Sequence, residues 1–270
     1  MAARVALGID VGGTGIKGAP VDLDAGKFLQ ERVKIATPAK STPEAVAGVV
    51  DQIADSFLDD LPTDAAIGVT IPGIVKKGVV KSAANIDKGW IGCDGQTLFS
   101  QALQRPCLLV NDADAAGVAE VRYGAAKGVD GLVIMTTLGT GIGIALIYNG
   151  VLIPNAELGH LELDGHDAET RAASSARERE GLKYEQWAKQ RLQPYYKHLE
   201  FLLSPDLFVV GGGVSRKADK FLPHLRLDTP IVPAALQNDA GIIGAASLAF
   251  DLGERGASET ATMTDEAKPL

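Results

Sequence analysis

Two segments of this chain are built alike, and that likeness limits what it can fold into. The first runs Val5-Ala6-Leu7-Gly8-Ile9-Asp10-Val11-Gly12-Gly13-Thr14-Gly15-Ile16-Lys17-Gly18 and on to Val21-Asp22. The second runs Leu132-Val133-Ile134-Met135-Thr136-Thr137-Leu138-Gly139-Thr140-Gly141-Ile142-Gly143-Ile144-Ala145-Leu146-Ile147. Each is an apolar strand, a Gly/Thr turn and a second apolar strand, the pattern of a hairpin whose turn must be bare. Each reaches another turn, Asp24-Ala25-Gly26 or Tyr148-Asn149-Gly150, and then a further apolar run. Two unrelated turns would be the plainer account. Matching positions in the two halves favour two related α/β domains facing each other across a cleft.

The remaining pattern is α/β as well. Ser41-Thr42-Pro43-Glu44 has capping-box spacing with a proline in the first turn. Val46, Val49, Val50, Ile53, Phe57 and Leu58 then repeat at helical spacing, which predicts a helix over residues 43–59. Ala66 to Thr70 reads as a buried strand ending at Pro72-Gly73, and Leu108-Leu109-Val110 as another ending at Asn111-Asp112. Small residues from Ala113 to Ala126 suit a closely packed helix. Residues 170–203 read as helix interrupted near Gly181 and Pro194. Leu207 to Val210 is a strand running into Gly211-Gly212-Gly213, and Ala240 to Leu252 a small-residue helix. The polar stretch from Glu254 to Leu270 lacks periodicity and is expected to be disordered. The domain boundaries expected are 1–112 for a small N-terminal domain and 113–239 for a larger one, with the 240–252 helix packing back on the first.

Composition removes several classes of function. With 26 basic and 34 acidic residues the formal net charge is −8, which disfavours nucleic-acid binding. It still allows a polyanion held by a local basic patch. No apolar stretch is long enough for a membrane span, and no signal-peptide core follows Met1. Cys93 and Cys107 have neither metal spacing nor a disulfide framework, so a cytoplasmic location is expected.

Phosphate chemistry needs backbone N–H groups that can close on oxygens. Gly12 and Gly13 offer this in the first hairpin, where Thr14 adds a hydroxyl, Lys17 a charge and Asp10 a carboxylate that could orient Mg²⁺ through water. Gly139, Thr140, Gly141 and Gly143 offer the same in the second. Gly211, Gly212 and Gly213 lie beyond the end of a strand, where a nucleotide could bind, although an ordinary strand-to-helix turn accounts for them equally well. Asp112 could accept the proton of an attacking hydroxyl and Asn111 could bind a diol, but helix N-capping explains both in isolation. Glu157, His160 and Glu169, with backbone amides near them, have the donors and acceptors a sugar requires. Lys17, Lys88, Arg171, Arg177, Arg179 and Lys183 are candidates for a basic track, with a solvated helix face, lined also by Glu178 and Glu180, as the alternative.

Taken together, these pieces resemble the ROK sugar kinases of the hexokinase–actin superfamily. The resemblance rests on Asp10-Val11-Gly12-Gly13-Thr14 with Lys17, Pro72-Gly73, Asn85 with Trp90, Asn111-Asp112-Ala113, the second glycine turn, Glu157-Leu158-Gly159-His160 and the Gly211 cluster, in that order. It implies two actin/hexokinase-like (ribonuclease H-like) domains flanking a cleft, Asp112 as general base, and Gly73, Asn85, Asn111, Glu157, His160 and Glu169 as sugar ligands. Members of the family usually follow the Glu-x-Gly-His element with a cysteine-rich zinc motif. Here residues 161–169 contain no cysteine, so no zinc is expected. Glu162, Asp164, His166 and Asp167 are expected to hold that loop by bonding among themselves. The cysteine-free loop resembles the actinobacterial branch of the family, which implies glucose as acceptor, inorganic polyphosphate as donor with ATP usable too, Mg²⁺, and a homodimer. The alternative is an ATP-dependent hexose or N-acyl-hexosamine kinase. A sugar-sensing repressor is disfavoured, since the first glycine turn begins too close to Met1 for a DNA-binding domain ahead of it.

Overall fold

The computed structural model describes the backbone of residues 4–266 and the side chains of residues 4–254. The described chain divides into two compact units: residues up to Ala115 together with those from Gly241 onward, and Ala116–Ala240.

The first unit opens with β1 (Val5–Val11), β2 (Ile16–Asp22), β3 (Lys27–Phe28) and β4 (Val33–Ile35). α1 (Pro43–Asp55) leads to β5 (Ala66–Ile71), and the short pair β6 (Val75–Lys76) and β7 (Val79–Val80) precedes α2 (Gly95–Ala102) and β8 (Cys107–Asn111). The sheet order is β3-β2-β1-β5-β8, with β4 also on β2. β1–β2 is antiparallel, whereas β1–β5 and β5–β8 are parallel. Leu7, Ile9, Val50, Ile53, Trp90 and Phe99 fill its core.

α3 (Asp112–Tyr123) carries the chain onward, and the second unit repeats the plan. It has β9 (Leu132–Leu138), β10 (Ile142–Tyr148) and β11 (Val151–Ile153), then β12 (Glu162–Leu163) and β13 (His166–Asp167). After α4 (Glu169–Ala172), α5 (Ser174–Arg179), α6 (Tyr184–Trp187) and α7 (Gln193–Leu203) come β14 (Leu207–Gly211) and β15 (Ile231–Pro233). Its sheet order is β11-β10-β9-β14-β15, antiparallel on one side of β9 and parallel on the other. Ile134, Trp187, Tyr195, Tyr196, Phe208 and Phe221 fill a separate core.

α8 (Ala240–Glu266) returns to the first unit. Gly8 and Gly68 are register partners on β1 and β5. A Cβ on either would lie 2.0 Å from a helix carbonyl oxygen, of Ile242 and Ala245 respectively. Two bare positions side by side thus make the seat for this helix.

Several details differ from the sequence reading. α1 stops at Asp55, and Leu58–Asp60 forms a separate 3-10 turn. Its N-cap is Thr42, whose Oγ1 accepts the Ala45 N–H at 3.3 Å, because Pro43 takes the first helical position. Ser41 Oγ instead accepts the Asp87 N–H. Pro194 does not interrupt its helix. A π turn over Ala188–Leu192 widens the backbone just ahead of it, so the missing N–H and the ring are absorbed without a break. α8 runs past Leu252 to Glu266, so most of the stretch expected to be disordered is helical, and residues 267–270 lie outside the described residues.

Candidate active site

The first glycine turn is a four-residue loop, because Val11 pairs with Ile16. Gly12 N–H donates to Gly15 O at 3.2 Å, and the Thr37 hydroxyl donates to Gly12 O at 2.5 Å. Among the described residues the amides of exposed Gly13 and Thr14 donate to no protein acceptor. Such amides, close together and without partners, can receive an anion. Asp10 stands in register with Lys17 on β2 and Thr70 on β5. Its Oδ1 accepts the Thr70 hydroxyl at 2.8 Å, and its Oδ2 lies 3.8 Å from Lys17 Nζ.

Asn111 and Asp112 differ in what they bind. Asn111 Oδ1 accepts the Asp114 N–H at 3.0 Å, and Asn111 Nδ2 donates to Gly73 O at 3.1 Å. The capping function therefore belongs to Asn111, leaving one of its amide hydrogens uncommitted. Asp112 Oδ1 accepts the adjacent Ala113 N–H at 2.9 Å, and no side-chain donor reaches the carboxyl among the described residues. Loss of water around the half-buried Asp112, reinforced by the negative charge of Asp10, pushes its carboxyl up to about 7. A carboxylate with that pKa can take a proton near neutral pH and release it again. Asn85, also in this unit, adopts a left-handed backbone (φ 59) beside Gly13 and exposes its side chain.

The second turn is one residue shorter, since Leu138 pairs with Ile142. Gly139 N–H donates to Gly141 O at 3.0 Å. Ser175 straps the loop: its N–H donates to Gly139 O at 3.0 Å and its hydroxyl to Thr140 O at 2.6 Å. With the carbonyls occupied, the amides of Thr140 and Gly141 are left without acceptors among the described residues. Glu169 presses on the same loop. Its Oε2 accepts the Ile142 N–H at 3.0 Å and would lie 2.4 Å from a Cβ on Gly141. Gly141 is thus bare where a carboxylate needs the space.

The cysteine-free segment is held by backbone pairing rather than by the expected side-chain network. β12 and β13 form a two-residue hairpin, Leu163↔His166, whose turn residues Asp164 (φ 53) and Gly165 (φ 74) both have positive φ. Asp-Gly suits that turn geometry. Asp167 then connects the hairpin to the site: Oδ2 is 2.8 Å from His160 Nδ1, and Oδ1 accepts the Glu169 N–H at 3.1 Å. A carboxylate can only accept, so the Nδ1 of His160 carries the proton and Nε2 is the atom left for a ligand. The hydrogen bond to Asp167 raises the His160 pKa, opposed by partial loss of water and aided by Glu169 and Glu157. Burial raises the Glu157 carboxyl as well. His160, Asp167 and Glu169 bring one ligand atom each within 4.8 Å, a set with no thiolate.

The residues expected to form a basic track are mostly committed elsewhere. Arg177 binds Glu178 at 3.1 Å and donates to Leu182 O at 3.3 Å. Arg179 donates to Thr170 O at 2.6 Å, and Lys88 to Ala83 O at 2.8 Å. Sequence reasoning missed Thr70, Thr37 and Ser175, each supplied from far along the chain. Gly212 packs against the Leu138 backbone, whereas Gly213 meets nothing within 4 Å and lines a cavity beside the second turn.

Comparison with known proteins bears on the family and the fold. Residues 6–179 match the model of the ROK family. A polyphosphate glucokinase from Mycobacterium tuberculosis is 52% identical over 244 residues, 90% of each chain. The crystal structure of an inorganic polyphosphate/ATP-glucomannokinase from Arthrobacter sp. strain KM superposes with a TM-score of 0.87 at 54% identity, covering 92% of this chain and 99% of that one. A ROK family glucokinase from Streptomyces griseus, solved with glucose and AMPPNP, gives 0.78 at 25% identity over 92% of this chain and 99% of its own. With its two matched sheets and its two glycine turns, this chain belongs to the ROK family.

Proposed function

We propose that the chain phosphorylates the 6-hydroxyl of glucose, with inorganic polyphosphate as donor and ATP as a second donor. The observation that carries the reading is the Asp112 carboxyl, pushed up to about 7 at the tip of β8 with no side-chain donor on it among the described residues. Relatives named for this chemistry at 52% and 54% identity support the choice of donor and acceptor.

In this mechanism Asp112 takes the proton of the 6-hydroxyl as that oxygen attacks the terminal phosphorus. The bond from that phosphorus to its bridging oxygen breaks, and the donor leaves one phosphate shorter. The amides of Gly13, Thr14, Thr140 and Gly141 stabilise phosphate oxygens by charge alone, the main demand of phosphoryl transfer. Lys17 holds Asp10 rather than reaching for the donor itself. A divalent cation, Mg²⁺ by its preference for carboxylate and phosphate oxygens, fits at Asp10, where it would neutralise donor charge. Asp10 has lone pairs left after one hydroxyl contact and a 3.8 Å ammonium, which supports that placement.

Glu157, His160 Nε2, Glu169, Asn85 and the remaining Asn111 hydrogen are assigned to sugar hydroxyls. Asp167 is a positioning residue that fixes the ring and tautomer of His160. A cytoplasmic homodimer completes the reading. Free Cys93 and Cys107 support a reducing compartment, and exposed Val151 and Phe201 support an association surface. Steady-state assays of the wild type and Asp112→Asn, with glucose and each donor, test the assignment. Near-normal kcat in the variant would end it.

A further inference from the structure

A cavity of about 300 Å³ adjoins the second glycine turn. Gly139 and Thr140 line it, as do Gly213 and Lys217, with Tyr184 and Glu178 also on its wall. Positive charge collects around Tyr184. The Arg177 guanidinium lies 4.3 Å from its ring centroid, Lys217 Nζ 6.0 Å and Lys220 Nζ 5.9 Å. The ring itself is fixed, stacked on Phe221 at 6.3 Å and edge-on to Trp187 at 6.5 Å.

These three cations are not equivalent. Arg177 and Glu178 neutralise one another at 3.1 Å, which also removes the one acidic charge on the cavity wall. Lys217 and Lys220 are exposed, and neither has a carboxylate partner among the described residues. Both belong to the segment that follows Gly213, and Lys217 sits at its kink (φ −119, ψ 26), where two 3-10 turns meet. Two ammonium groups, each within 6.0 Å of one ring centroid and without a carboxylate partner among the described residues, leave a local excess of positive charge. In a chain of net charge −8 such a pair is the reverse of the general balance, and a bound polyanion would relieve it.

We infer that Lys217 and Lys220 form a subsite for the distal phosphates of polyphosphate, in a chain whose phosphates nearer the reacting end lie along the second glycine turn. The inference rests on the donor reading above and adds the path of the polymer. ATP places its nucleoside in the space that those distal phosphates occupy, so the two donors compete and the lysines favour the longer anion.

The test is the exposed double variant Lys217→Gln/Lys220→Gln, assayed with glucose against long-chain polyphosphate and, separately, against ATP. The expected result is a rise of about tenfold in polyphosphate KM at low salt, with a flatter dependence of that KM on added salt. The ATP KM should rise by no more than roughly threefold, since a nucleoside gains little from two screened ammonium groups. ATP turnover in the variant also reports that it is folded. An unchanged polyphosphate KM with an unchanged salt response would overturn the inference alone, as would equal rises with both donors. A wild type that turns over ATP but not polyphosphate would overturn the donor reading with it, before any variant is made.

Discussion

The two glycine hairpins share a plan and differ in what surrounds them. The first has a four-residue loop set among charges: Asp10 and Lys17 on its own strands, with Asp112 near enough for the charge of Asp10 to act on its carboxyl. The second has a three-residue loop tied by the two bonds from Ser175 and by the Glu169 carboxylate against bare Gly141. Both leave amides for an anion. Charged side chains gather at the first, while the second is strapped by Ser175 and pressed by Glu169. One supersecondary unit, used twice, has been specialised by its neighbours rather than by its glycines.

That contrast can be broken by substitution. Asp112→Asn should have the largest effect, lowering kcat by about 10³-fold with either donor while glucose binding, measured by calorimetry, persists. Glu169→Ala comes next. It removes a proposed sugar ligand and the support under Gly141 together, so kcat/KM for glucose should fall by about 10²-fold and donor KM should rise as well. If only the glucose term moves, the second loop does not depend on Glu169. Ser175→Ala releases the strap alone and should raise donor KM by roughly three- to tenfold with little change in glucose KM. Asp167→Asn keeps an acceptor for His160 Nδ1–H but removes the charge. The His160 pKa should then fall, as read by NMR, with a modest rise in glucose KM. The smallest effect concerns stability. A carboxyl raised above its unfolded value binds protons more tightly in the folded state, so its contribution declines as pH climbs from about 4 to about 7. Asp112→Asn should therefore raise Tm relative to wild type above neutral pH and much less in acid.

Much of this was readable from the chain, for local reasons. Both hairpins follow from strand-turn-strand patterning within some fifteen residues, whereas the role expected of Asp112 came only from the resemblance, since its place after a strand suits a helix cap equally. The matching sheets of the two units follow from the same repetition. What escaped was supplied from a distance or through the backbone. Thr70 reaches Asp10 across 60 residues of chain, and Ser175 reaches Thr140 across 35, and no pattern in the sequence pairs them. The hairpin at Asp164-Gly165 is different, because the Asp-Gly turn is a local feature. The absence of cysteines points to side-chain bonding, whereas backbone pairing across Asp-Gly is enough to hold the loop. Which of Asn111 and Asp112 caps the helix could be told only once the atoms were placed, since either residue type can cap.

The proposed chemistry turns most directly on the protonation of Asp112 in the working enzyme. Its test is the pH dependence of kcat/KM for glucose, measured with saturating polyphosphate and again with saturating ATP. The prediction is an acidic limb with an apparent pKa of about 7, the same for both donors, because the group belongs to the enzyme. A profile that stays flat through neutral pH, or a limb that moves with the donor, would contradict it.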